Sequence, residues 1–150
     1  MMRDLLPDTS GRVERHTNRR INRQIREKII ADAFTYATKS EAEISVRIIQ
    51  LDREWDTERV LESTAGILVL AGVLLGVGLN SLWLILAAVA ALSLVQHSLQ
   101  GWCLLLPAIR KIGVRTAGEI HEEKTALRIV RGDLDDIRPN QQSTVARAIH

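Results

Sequence analysis

The chain has 150 residues, with 20 Lys and Arg against 18 Asp and Glu and 46% apolar residues. Those totals suit one small domain, but residues 63–109 form a 47-residue stretch without a single charged side chain, and every Asp, Glu, Lys and Arg lies outside it. An even amphipathic mixture is therefore excluded, because a soluble helix keeps one face for water, whereas a bilayer span needs about 20 mostly apolar residues.

The other totals narrow the classes further. The single cysteine, Cys103, rules out an intrachain disulfide framework and any multi-cysteine zinc or iron–sulfur site. A net charge of only +2, with acidic residues interleaved among the basic ones, argues against nucleic acid as a partner. The first residues carry no apolar run followed by a small-residue cleavage site, so no removable secretory signal is expected and the internal apolar segment directs the chain to a membrane.

In chain order, residues 1–16 contain Pro7 and Gly11 without periodicity and read as a disordered arm. Residues 17–62 read as a cytoplasmic helical hairpin that runs into the membrane. In its first helix Ile21, Ile25, Ile29, Ala33 and Ala37 recur every four residues, with Arg19, Arg20, Arg23, Arg26 and Lys28 on the other faces. The apolar stripe can pack on a neighbouring helix or lie on anionic lipid. Ser40 with Glu43 forms a capping box that starts a second helix, and Ile44, Ile48, Leu51 and Trp55 give it a seam. No Pro or Gly interrupts that helix, so it is expected to continue unbroken into the apolar segment.

Gly78, Leu79, Asn80 and Ser81 divide residues 63–109 into two apolar runs, giving a transmembrane hairpin. The runs of 18 and 19 residues span about 27 and 28 Å at ~1.5 Å per residue, close to the hydrocarbon thickness. Arg53 and Arg59 before the first span, with Arg110, Lys111 and Arg115 after the second, place both termini in the cytoplasm by the positive-inside rule. Those last three residues are also the candidates for lipid headgroup contact. Trp55, Trp83 and Trp102 fall where aromatic belts sit. Thr116 and Glu119 repeat the capping-box pattern, opening a cytoplasmic helix within residues 110–132 that ends at Gly132, and residues 133–150 read as a tail.

Two constellations are candidates for function. Gly72 and Gly76, with Ala87 and Ala91 in the second span, form small-residue pairs that allow close helix packing, either between copies of the chain or within the hairpin. Gln96, His97, Gln100, Trp102 and Cys103 gather polar groups at the inner end of the second span. There His97 could relay protons and Cys103 could carry a persulfide; the alternative is an interfacial helix terminus with Cys103 as a small apolar filler. His16, His97, His121 and His150 lack metal-ligand spacing, and no phosphate loop or catalytic triad pattern is present. No catalytic residue, metal or cofactor is expected.

The motif Leu51-Asp52-Arg53-Glu54-Trp55-Asp56-Thr57-Glu58-Arg59 precedes the first span, Gln96-His97-Ser98-Leu99-Gln100-Gly101-Trp102-Cys103 ends the second, and Gly113-Val114-Arg115-Thr116 follows. In these motifs the chain resembles the YgaP-like transmembrane-domain family of small bacterial inner-membrane proteins, over about residues 16–135. It departs from the family pattern after Cys103, where Leu104 stands in place of a proline. The resemblance implies a two-span inner-membrane location. Some relatives fuse the module to a rhodanese domain, which implies a link to sulfane-sulfur handling, but this chain has no rhodanese domain.

The expected architecture is thus all-α: a two-helix transmembrane hairpin flanked by cytoplasmic amphipathic helices, with the lipid bilayer as partner. The leading functional expectation is a non-enzymatic, self-associating accessory or scaffold, probed first at Gly72 and Gly76. The alternative is an oligomeric transport component for a small sulfur-containing anion, lined by Gln96, His97 and Gln100. A persulfide carrier at Cys103 is the third.

Overall fold

The computed structural model describes residues 11–133, and every regular element among them is a helix. They are α1 (Arg12–Arg15), α2 (Arg19–Tyr36), α3 (Glu41–Arg53), α4 (Thr57–Gly78), α5 (Leu84–Gln100), α6 (Leu106–Lys111) and α7 (Ala117–Arg131), with a 3₁₀ turn at Ser81–Trp83 between α4 and α5. The contacts divide the described chain into two compact units, residues 11–27 with 55–120 and residues 28–54 with 121–133.

The first unit contains both long apolar helices. Asp56 starts α4 by accepting the Arg59 N–H at 2.8 Å, and 22 residues later the helix closes through Leu79 N–H to Leu75 O. Asn80 then accepts the Leu82 N–H, tightening the 3₁₀ turn so that α5 runs back along α4. Gly101 ends α5 in the left-handed region at φ 73, with its N–H on His97 O. Both helices are long and apolar enough to cross a membrane, and only 17% of the most apolar 18-residue window of each is buried. Ile67, Leu70, Leu74, Val77 and Leu92 are exposed along them.

Beneath the polar end of this pair, Val13, Leu61, Cys103, Leu106 and Ile109 form a buried apolar cluster, edged by Val60, Leu94, Leu105 and Val114. Val13 comes from α1. Residues 11–16 are thus not part of a loose arm: Gly11 adopts φ 73, Arg15 N–H closes on Gly11 O, and burial of Val13 fixes the turn. The arm expected for residues 1–10 and the tail beyond Asp133 lie outside the described residues.

The helix beginning after Ser40 also departs from expectation. Its capping box is present, with Glu43 N–H on Ser40 Oγ and Ser40 N–H on Glu43 Oε2. It does not run unbroken into the apolar segment, however, because α3 stops at Arg53 and Glu54 turns extended at φ −67, ψ 135. The Asp56 carboxylate competes for the next free backbone N–H and begins a separate helix. In the second unit, Ile29, Ile44, Ile48, Leu51 and Leu127 are buried. Arg47 of α3 bonds Glu123 through Nε and Nη2 at 3.0 and 2.8 Å, reaches Asp32 at 3.4 Å and lies 5.9 Å from the Tyr36 ring centroid.

Candidate functional site

The densest polar arrangement lies in the first unit, at the foot of the apolar pair. Pro107 sits in the first turn of α6, where a missing N–H costs nothing, and the helix then points Arg110 into the interior. All five guanidinium N–H groups of Arg110 have acceptors. Nη1 and Nη2 grip the two Glu119 carboxylate oxygens at 2.6 and 2.7 Å, Nη1 also meets Val114 O at 3.0 Å, Nη2 meets Asn22 Oδ1 at 3.0 Å, and Nε meets Thr17 Oγ1 at 3.2 Å.

Glu119 has a second duty, since it is also the capping-box residue of α7. It accepts Thr116 N–H at 2.7 Å while Thr116 Oγ1 accepts Glu119 N–H at 3.2 Å. Burial pushes its carboxyl pKa up, but the bonds from Arg110 and Thr116 outweigh burial and hold it below its ordinary value. One buried ion pair thereby ties the segment before α2, α2 itself, α6 and the start of α7. Nearby, Thr57 is fully buried and bonds Arg115 O through both its N–H and its hydroxyl, fixing the start of α4 to the segment before α7.

This geometry changes the roles expected for the basic residues after the second span. Arg110 and Arg115 are 0% and 4% exposed, so neither reaches a headgroup; Lys111 is exposed. Sequence spacing alone could not reveal this, because the acceptors Thr17 and Asn22 are 93 and 88 residues from Arg110.

Arg12 forms a second clasp. Its Nη1 donates to Ser98 O at 2.9 Å, satisfying a carbonyl at the C-terminal end of α5, and its Nη2 meets Glu58 Oε1 at 2.9 Å. The aliphatic stem lies directly on Gly101, where an added Cβ would stand 2.7 Å from Arg12 Cβ and Cγ. Gly101 thus serves both the left-handed turn and the close approach of α1.

The polar cluster expected at 96–103 is split. Gln96, Gln100 and Trp102 are exposed, whereas His97 is 4% exposed and Cys103 1%. Neither ring nitrogen of His97 has a hydrogen-bond partner among the described residues, and Arg12, Glu58 and Glu62 are the charges around it. Gln96, His97 and Gln100 therefore do not share one surface, and Cys103 is enclosed by apolar side chains. An accessible thiol would require the opposite placement of Cys103. Among the described residues no group of three or more His, Cys, Asp or Glu is arranged to hold a metal ion.

The small residues meet one another across α4 and α5. A Cβ on Gly72 would lie 2.7 Å from Ala87 N and 3.0 Å from Trp83 O; one on Gly76 would lie 2.6 Å from Leu84 Cδ2. Gly72 and Ala87 are buried, and the neighbouring Ala90 is buried in place of Ala91, which is exposed. The face of Gly72 and Gly76 is thus occupied by α5 of the same chain and is not available to a second copy without opening the pair. The three tryptophans are exposed, and Arg59 stacks 4.8 Å from the Trp55 ring centroid.

No family model, curated protein or solved structure matches this chain.

Proposed function

We propose that this chain is a non-enzymatic, two-span protein of a bacterial inner membrane, an accessory or scaffold that holds its polar helices and both chain ends on the cytoplasmic side. The observation that carries this reading is the outward apolar surface of α4 and α5. Side chains such as Leu70, Leu74, Val77 and Leu92 are 61–83% exposed along two helices of spanning length, a surface that hydrocarbon stabilises and water does not. The polar base supports it from the other end: its charges are gathered below the spans, while the turn at residues 79–83 has none. The resemblance to YgaP-like proteins supports the bacterial setting. Self-association, in this reading, uses the outward surface, where Gly66 has open space around it, and not Gly72 and Gly76.

The test has two arms. Membranes from cells expressing the chain are washed with alkaline carbonate, and single cysteines at the turn (Ser81→Cys) and on α2 (Gln24→Cys) are exposed to an impermeant maleimide. Retention in the pellet, outside labelling of the turn and labelling of α2 only after permeabilisation are expected. Extraction by carbonate would overturn the membrane reading, and reversed labelling would overturn the orientation.

A further inference from the structure

The sequence offers α2 one apolar stripe, and the structure consumes it, since Ile25 and Ile29 are each 6% exposed. The opposite side of the same helix is then informative. At 3.6 residues per turn, Arg19, Ile30, Arg23 and Phe34 fall within about 60° of one another, with Arg20 and Arg26 at the margins. All six are exposed, Phe34 by 74% and Ile30 by 50%. Among the described residues, only Arg23 of these arginines makes an ion pair, with Glu27. An outward sector that joins basic side chains to bare aromatic and aliphatic ones suits neither plain solvent nor a packed core.

From this we infer that the outward face of α2 is a docking surface for anionic phospholipid headgroups of the membrane that the chain spans, with Phe34 and Ile30 entering the interface and the arginines meeting phosphates. The inference rests on the membrane reading above. Charge complementarity selects the partner: the cluster is cationic, and a cytoplasmic leaflet carries a negative surface potential. The start of α2 is also held near the foot of the spans, because Asn22 donates to Glu14 O at 2.7 Å and accepts from Arg110, and the neighbouring helix α1 is fixed to Ser98 of α5 by Arg12. Tethering keeps the arginine-bearing start of the helix at high effective concentration beside the lipid, so weak individual contacts suffice.

The experiment uses the full chain in nanodiscs of phosphatidylcholine alone or mixed with phosphatidylglycerol. An environment-sensitive dye is attached through Phe34→Cys, with buried Cys103 left native and the unsubstituted chain as the labelling control. In the mixed discs, blue-shifted emission and quenching by brominated lipid are expected, several-fold weaker in phosphatidylcholine and lost at high salt. Arg19, Arg20, Arg23 and Arg26 changed together to Gln should abolish the quenching, and the same four changed to Lys should retain it. A water-like dye in both lipids overturns the inference, as does quenching indifferent to phosphatidylglycerol or to the Gln changes. If carbonate extracts the chain from membranes, the membrane reading itself has failed; carbonate-resistant insertion with a water-like dye rejects the α2 surface alone.

Discussion

The upper and lower parts of the first unit are held together by different physics. Where α4 meets α5 near Gly72, Gly76 and Ala87, the contact is one of shape: missing side chains let backbones approach, and dispersion does the rest. At the foot, the Arg110–Glu119 pair with Thr17 and Asn22 is a contact of charge and hydrogen bonding in a buried setting. A tolerance for substitution at one end therefore says nothing about the other. The upper contact fails by overfilling, the lower by loss of one partner.

The largest effect is expected at the foot. Arg110→Ala leaves Glu119 buried without its cation and should cost about 3–5 kcal/mol of stability, measured by denaturation in detergent micelles. The double change Arg110→Met with Glu119→Leu, which removes both charges, should recover most of that loss. If the single and double changes are equally damaging, volume and not charge governs the site.

The upper contact should respond next. Gly72→Ala drives a Cβ against backbone atoms of Ala87 and Trp83, which cannot rotate away, and is expected to cost about 1–3 kcal/mol. Gly76→Ala meets chiefly the Leu84 side chain, which can shift, so its cost should be smaller. Equal costs in a thermal melt would show that the two glycines do not differ as their surroundings do.

Acid sharpens the same contrast. Glu119 has its pKa depressed in the folded protein, so its contribution is complete above its ordinary value of 4.5 and is lost as pH falls through the lower folded value. Stability should therefore decline below about pH 4.5, and the Arg110→Met/Glu119→Leu protein should lack that part of the decline. An unchanged acid profile in the double variant would place the effect elsewhere.

The smallest expected effect concerns a helix end outside both contacts. Ser40→Ala removes one half of a capping box and should cost about 1 kcal/mol, readable as a modest fall in melting temperature.

Helix ends with local chemistry were largely legible. Ser40 with Glu43 and Thr116 with Glu119 act within three residues, and the left-handed Gly132 closes α7 where the sequence placed its end. The absence of Pro and Gly after Ser40 predicts a continuous helix, and the break at residues 54–56, where Asp56 caps α4, appears only in the structure. The short helix α1 was illegible for another reason: four residues cannot show periodicity, and α1 is fixed by Val13 entering a cluster built from residues 61–109.

The candidate site was less legible than the helices. Arg110, Lys111 and Arg115 look alike as a basic run after an apolar segment, and only the fold assigns two of them to the interior. Likewise His97 and Gln96 are adjacent in sequence, but one residue turns a helix by about 100°, enough to bury the first and expose the second.

By itself the sequence determined where the uncharged segments lie, that they are long enough to span a bilayer, and where capped helices begin, because periodicity, length and capping act over a few residues. Only the tertiary structure decided that Gly72 and Gly76 face α5, that Arg110 is a buried clasp, and that α2 turns Phe34 and its arginines outward. Each of those outcomes depends on which distant surface comes to rest against a side chain, and burial is a property of that meeting, not of the residue.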